Sequence, residues 1–139
     1  MPVSLSRAVS FHAIHRLYRT DWTAEDNRRA FGPLSDAPGH PHDYRCEVTV
    51  RGPIEASRGM VMDLVLLDRI LQEEVVGPLD GKSLNLEVAA FAAGTLPTCE
   101  ALAAEIYSRV TARLPAGVVL ERVRILEDPT LYADCTGIP

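Results

Sequence analysis

YRCEVTVRG, residues 44–52, alternates between apolar and polar side chains. Side chains two residues apart on a β-strand point to the same face of a sheet. Tyr44, Cys46, Val48 and Val50 therefore share one face, and the residues between them share the other. This pattern predicts a half-buried strand, and such alternation is typical of antiparallel sheets.

The residues before this strand predict a second strand and a short helix. Residues 3–14 are rich in β-forming residues with short alternations, which indicates a strand. Thr23 has the features of a helix N-cap, with Glu25 and Asp26 in the first turn. We expect this helix to end before Gly32, where a turn-rich stretch begins.

The residues after the strand predict two longer helices. Apolar residues at helical spacing indicate a helix over residues 63–76, with Asp63 as its cap and Pro78 stopping it. A second helix opens at residues 97–100 and ends before Gly117. The intervening residues 79–95 show little periodicity and are predicted to be a long connection.

Two further alternating segments, 118–126 and 130–135, predict strands at the end of the chain. The order is therefore strand, short helix, strand, helix, helix, strand, strand. Amphipathic helices combined with antiparallel-type strands indicate an α+β fold.

Composition narrows the classes of protein that are expected. At 139 residues and 15.2 kDa, the chain is predicted to be one domain, 1–139, and its 47% hydrophobic content is enough for a core. A net charge of -5 argues against a nucleic-acid partner. No apolar run is long enough for a membrane span, and no secretory signal is visible, so we expect no membrane partner and a cytoplasmic location.

The three cysteines, Cys46, Cys99 and Cys135, are odd in number and widely spaced. They therefore predict neither a disulfide framework nor a Cys-x-x-Cys metal or redox pair. A reducing compartment fits this pattern, and each cysteine is expected to be a small buried hydrophobe.

The histidines form the most informative polar pattern. His40 and His42 are two residues apart at the entry to the central strand, so their imidazoles can point to one place. If the first two strands pair, His15 can complete a set of three, whereas His12 lies on the opposite face. Three histidines with an open fourth position are typical of catalytic zinc. The alternative is that they are ordinary surface residues.

At this point the sequence resembles the 6-pyruvoyl-tetrahydropterin synthase and 6-carboxy-tetrahydropterin synthase family. The similar blocks occur in the family's order along the chain. They are FHAIHRL (11–17), EDN (25–27), FG (31–32), GHPHDY (39–44), EVTVRG (47–52), GMVMDL (59–64), and parts of 79–85, 97–100 and 127–133.

The resemblance implies a tunnelling fold, with an antiparallel four-stranded sheet and two long helices on one face. It implies homo-oligomers, trimers that stack into hexamers, with active sites between subunits. It also implies zinc held by three ligands and a reduced pterin as the small-molecule substrate. The implied zinc ligands are His15, His40 and His42.

The resemblance also implies a pterin pocket. Glu127 corresponds to a carboxylate that holds the pterin ring, and carboxylates accept paired hydrogen bonds well. Thr98 and Glu100 correspond to the pterin-pocket segment at a helix start. The alternative for Thr98 is a helix N-cap, and for Glu100 a partner of the helix dipole; each can coexist with pterin contact.

Two positions depart from the family pattern. Where the family has a cysteine that acts as base, this chain has Leu34, and where it has a histidine after aspartate, this chain has Gly81. Asp80 remains as a catalytic candidate. Asp36 is a second candidate, as a substitute base, and the alternative is that it is a turn residue.

These departures leave three functions open. The first is a zinc-dependent lyase with non-standard chemistry on 7,8-dihydroneopterin triphosphate or a related reduced pterin. The second is a pterin-binding protein without turnover. The third is a general zinc hydrolase, which lacks an obvious base apart from Asp36 and Asp43.

Overall fold

A computed structural model describes residues 1–138 of the chain. Its strands are β1 (Pro2–His15), β2 (His40–Pro53), β3 (Lys82–Ser83), β4 (Val119–Asp128) and β5 (Leu131–Cys135). Its α-helices are α1 (Ala24–Phe31), α2 (Leu64–Leu71), α3 (Gly77–Leu79), α4 (Leu84–Glu87), α5 (Ala89–Ala92) and α6 (Cys99–Thr111). A 3₁₀ turn spans Gly32–Ser35, and a π-helical turn spans Gln72–Val76.

The strands form one sheet in the order β3-β1-β2-β4-β5. Strands β1, β2, β4 and β5 pair antiparallel, which confirms the predicted α+β fold and its four main strands. The predicted strand count is wrong by one, because β3 adds a fifth strand parallel to β1. A two-residue strand held by backbone pairing has no side-chain period that a sequence could reveal.

The two predicted long helices are present, and both contribute to the core on one face of the sheet. Asp63 caps α2 by accepting a hydrogen bond from the backbone N–H of Val65 at 3.0 Å. The prediction that Pro78 stops this helix is wrong, since helical structure continues through α3 to Leu79. Gly77 donates to the carbonyl of Gln72, five residues back, and this wider turn accommodates a proline with no N–H.

Residues 79–95 also contain more regular secondary structure than predicted. They contain β3 and the short helices α4 and α5, whose side chains Leu84 and Phe91 are buried. Each element is four residues or shorter, which is too brief for a helical or strand period to appear in the sequence.

The imperfect alternation of apolar and polar residues along β4 results from a β-bulge. The register with β2 shifts between Thr49 and Val50, so Thr49 pairs with Arg122 and Val50 with Leu120. Glu121 is the extra residue, and this bulge lets Leu120 and Val123 both face the core.

Among residues 1–138, the helices are all too short or too polar to cross a bilayer.

Candidate metal centre

Strand register brings the three predicted ligands together. On β1 and β2 the core-facing pairs are Phe11 with Tyr44, Ala13 with His42, and His15 with His40. The imidazoles therefore continue a row of core side chains to the end of the sheet.

The imidazoles lie at distances suited to a shared ion. One nitrogen from each of His15, His40 and His42 lies within 4.8 Å of the other two. The ring centroids are 4.5 Å apart for His15 and His40, 5.0 Å for His15 and His42, and 4.9 Å for His40 and His42. The structure thus provides a triad of imidazole donors that could hold a metal ion.

Gly39 makes this approach of β1 and β2 possible. Its φ is +114°, and a Cβ built there would lie 2.6 Å from the carbonyl oxygen of His15. A side chain at residue 39 would push the strand ends apart just where His15 and His40 pair.

A hydrogen bond to the residue that precedes the N-cap of α6 orients His15. Its Nδ1 lies 2.7 Å from the carbonyl oxygen of Pro97, and a carbonyl can only accept. Nδ1 therefore carries the proton, which leaves Nε2 with a lone pair directed to the cluster. Metal-bound histidines commonly have such an orienting partner on their other nitrogen.

The cluster contains buried imidazole nitrogens that are suited to binding a metal ion. Among the described residues, Nε2 of His15 and Nε2 of His42 are buried without a hydrogen-bond partner. Burial lowers the pKa of His15, His40 and His42, so the imidazoles are neutral near pH 7, as metal ligation requires. Unpartnered buried nitrogens are rare in folded proteins, and a bound cation would satisfy them.

Glu127 lies in the same cluster. Its Oε1 is 3.4 Å from Nε2 of His15, and its Oε2 is 3.7 Å from Nε2 of His42. It follows Val123 and Ile125 on the core-facing side of β4, so the period of two could have revealed a carboxylate on a buried row. The β4–β5 register shifts between Leu126 and Asp128, and bulges of this kind redirect side chains at functional sites.

Two further side chains at the cluster were not expected to be functional. The thiol of Cys99 lies 3.9 Å from Oε1 of Glu127, and burial together with this carboxylate raises the pKa of Cys99 to about 12. Tyr44 is fully buried, its hydroxyl lacks a partner among the described residues, and its pKa is raised by burial. Both groups are therefore protonated at neutral pH and are donors rather than bases.

Thr98 and Glu100 lie at the start of α6. Thr98 is the N-cap, since its hydroxyl accepts from the backbone N–H of Ala101 at 3.1 Å. Glu100 is in the first turn and exposed. Thr98 thus acts as a helix N-cap and Glu100 lies where it can interact with the helix dipole, and neither role prevents contact with a substrate.

Replacing Thr98 with alanine is expected to lower the free energy of unfolding by about 1 kcal/mol, because α6 loses its cap. Thr98→Ser keeps the accepting oxygen and should change stability little. Urea unfolding of the two variants checks this. Equal loss in both variants would show that the hydroxyl does not stabilise the helix.

The two catalytic candidates from the sequence make their side-chain contacts outside the histidine triad. Asp36 accepts from Arg28 at 2.6 Å, and Asp80 accepts from the backbone N–H of His12 at 2.9 Å. Within residues 1–138, neither forms a hydrogen bond or ion pair with the triad. Leu34 is 44% exposed, so it does not fill the core.

In protein stripped of metal by a chelator, the lowered pKa values of the three histidines are expected to make stability depend on pH. The folded state binds fewer protons than the unfolded state below about pH 6.5, so stability falls as the pH drops through this value. His15 contributes a slope of at most about 1.4 kcal/mol per pH unit, and the more exposed His40 and His42 contribute less.

Denaturant titrations between about pH 7.5 and about pH 5.5 measure this slope. The shifted carboxyls Asp21, Asp128 and Asp134 all have lowered pKa values and do not titrate in this range. His15→Gln should flatten the profile. A flat profile in the unsubstituted protein would contradict the lowered pKa values of the three histidines.

The fold and the site define an α+β protein in which a mixed sheet, backed by two helices, carries three imidazoles that could hold a metal ion. Comparisons with known proteins give the same fold. A solved 6-pyruvoyl tetrahydropterin synthase from Caenorhabditis elegans superposes with a TM-score of 0.92, at 28% identity over 99% of this chain and 97% of that one.

The family is defined by sequence. The family model for 6-pyruvoyl tetrahydropterin synthase matches residues 4–137. The 6-pyruvoyl tetrahydrobiopterin synthases of Pongo abelii and Homo sapiens are 40% and 39% identical to this chain, and each alignment covers 88% of this chain and 83% of the relative. The chain therefore belongs to the 6-pyruvoyl tetrahydropterin synthase family of pterin-processing enzymes.

Proposed function

We propose that this chain is a zinc-dependent carbon–oxygen lyase that acts on 7,8-dihydroneopterin triphosphate or a related reduced pterin. The observation that carries the proposal is the convergence of three neutral imidazoles and the carboxylate of Glu127 at the end of one sheet. Family membership supports the pterin as substrate, and the donor set supports zinc.

In this proposal, three side chains hold the metal and three others contact the substrate. His15, His40 and His42 hold zinc, which polarises oxygens of the substrate side chain. Glu127 accepts hydrogen bonds from the amino group and adjacent N–H of the pterin ring, with Thr98 and Glu100 at the pocket edge. A carboxylate suits two parallel donors of this kind.

Proton transfer is assigned to Asp80 and Asp36. Asp80 is held in place by the backbone N–H of His12, and Asp36 is paired with Arg28. Because neither contacts the triad of its own chain, we propose that the site is completed between subunits of a trimer or hexamer. Within residues 1–138 the outer edge of β5 pairs with no other strand, which supports such an assembly. The protein is proposed to act in the cytoplasm.

Pterin binding without turnover is the second candidate. It is favoured by Leu34 and Gly81, since neither a leucine side chain nor a glycine can transfer a proton. A positioned acid or base contributes about 10²–10⁴-fold to a rate, so two absent groups slow ordinary elimination strongly.

Mass spectrometry of pterins after incubation with zinc-loaded protein separates these candidates. The lyase proposal predicts conversion of 7,8-dihydroneopterin triphosphate to a product that has lost triphosphate. A product with a shortened carbon side chain would instead show carbon–carbon cleavage. Unchanged substrate that nevertheless binds in calorimetry would favour the binding protein and contradict the lyase.

A further inference from the structure

The carboxylate of Glu127 lacks the cationic partner that its burial calls for. Its side chain is only 14% exposed. Within residues 1–138, the basic side chains within 4.0 Å of it are His15 and His42, and no arginine or lysine lies that close. A carboxylate withdrawn from water is costly unless it is paired with a cation or coordinates a metal.

The distances match those between neighbouring ligands of one ion. Atoms bound about 2.0–2.1 Å from zinc at tetrahedral angles lie about 3.3–3.4 Å from each other. Oε1 of Glu127 lies 3.4 Å from Nε2 of His15, and Oε2 lies 3.7 Å from Nε2 of His42. These are too long for good hydrogen bonds and close to the separation of two metal ligands.

We propose that Glu127 is the fourth ligand of the metal in the pterin-free protein, so that the resting site is closed. The chain's own contacts favour this position. The β4–β5 register shift lies at Glu127, and each of its carboxylate oxygens already lies beside one imidazole nitrogen of the triad. The ion then neutralises the carboxylate and satisfies the buried imidazole nitrogens.

This inference rests on the metal site of the proposed function and adds an order of events to it. A carboxylate bound to the metal cannot at the same time accept from a pterin ring. Glu127 therefore binds the ion while the pocket is empty and is released to the ring when a substrate enters. Closure of the fourth position also excludes water, and with it hydrolytic side reactions.

Cobalt-loaded protein tests the closed site, because the visible spectrum of bound Co²⁺ reports its ligands and azide binds only at an open position. Wild-type protein is expected to show no change with azide. Glu127→Ala should open the site and give an azide-dependent spectrum. It should also weaken zinc binding about 10–100-fold or more in competition with a chelator.

Two variants complete the design. Glu127→Gln keeps the size of the side chain but loses the anion, and it should behave like Glu127→Ala if alanine impairs folding. Glu121→Ala is the matched control, since Glu121 is a carboxylate on the same strand that contacts Ser4 and Arg51 instead of the triad. It should match wild type in both measurements.

The outcomes are distinct. An azide response in wild type, or none in the Glu127 variants, would overturn the fourth ligand while leaving the three-histidine site in place. Failure of wild type to bind Co²⁺ or Zn²⁺ would instead overturn the metal centre of the proposed function, and this inference with it.

Discussion

Combining Leu34→Cys with Gly81→His is expected to raise the rate of triphosphate elimination by about 10²–10⁴-fold for each group restored. The substitutions place a thiol and an imidazole at the two positions where the sequence resemblance implies that the family carries them. The scaffold has room for both. Leu34 is 44% exposed, and a Cβ built at Gly81 meets no atom within 4 Å.

The substitution Gly81→His is expected to destabilise the protein because of the backbone conformation at this position. Gly81 has a φ of +74°, so a histidine there is expected to lower the free energy of unfolding by about 1–2 kcal/mol. Rates of pterin conversion for the double variant, each single variant and Leu34→Ser measure the effect. Leu34→Ser controls for polarity without an effective base. A well-folded double variant that binds pterin but is no faster than the unsubstituted protein would show deeper remodelling of the site.

Replacing His15 with glutamine is expected to weaken zinc binding by more than about 100-fold, because it removes both a donor nitrogen and its orienting contact with Pro97. His15 is 2% exposed, so the vacated place is not readily filled by water. Competitive titration with a chromophoric chelator measures the loss.

The matched control lies on the same strand. His12 faces the opposite side of β1, where its ring contacts Asp43 at 2.8 Å. His12→Gln should therefore leave zinc affinity unchanged. Equal losses in both variants would indicate damage to the strand rather than removal of a ligand, and no loss in His15→Gln would remove His15 from the site.

The triad could be predicted because it depends on local rules. The two-residue spacing of His40 and His42 fixes their common face, and one antiparallel pairing brings His15 opposite His40. The caps at Thr23, Asp63 and Thr98 could be predicted for the same reason, since each is set by the residues that follow it within one helical turn.

The remaining features depend on contacts distant in sequence or on irregular backbone. A period of two along β4 indicates that Glu127 follows a buried row, but its position beside the imidazoles depends on the pairing of β4 with β2 and on a register shift. The Pro97 carbonyl reaches His15 across 82 residues. The π-helical turn before Pro78 is a backbone adjustment that local propensity rules do not predict.

The proposed pterin site at the metal centre is tested most directly by calorimetric titration of 7,8-dihydroneopterin triphosphate into zinc-loaded protein and into the same protein stripped by a chelator. Both the lyase and the binding protein require a pterin next to the metal centre. We expect saturable binding to the zinc-loaded protein and clearly weaker binding after the metal is removed. Absence of binding in both states, with the protein folded, would contradict a pterin pocket at the metal centre.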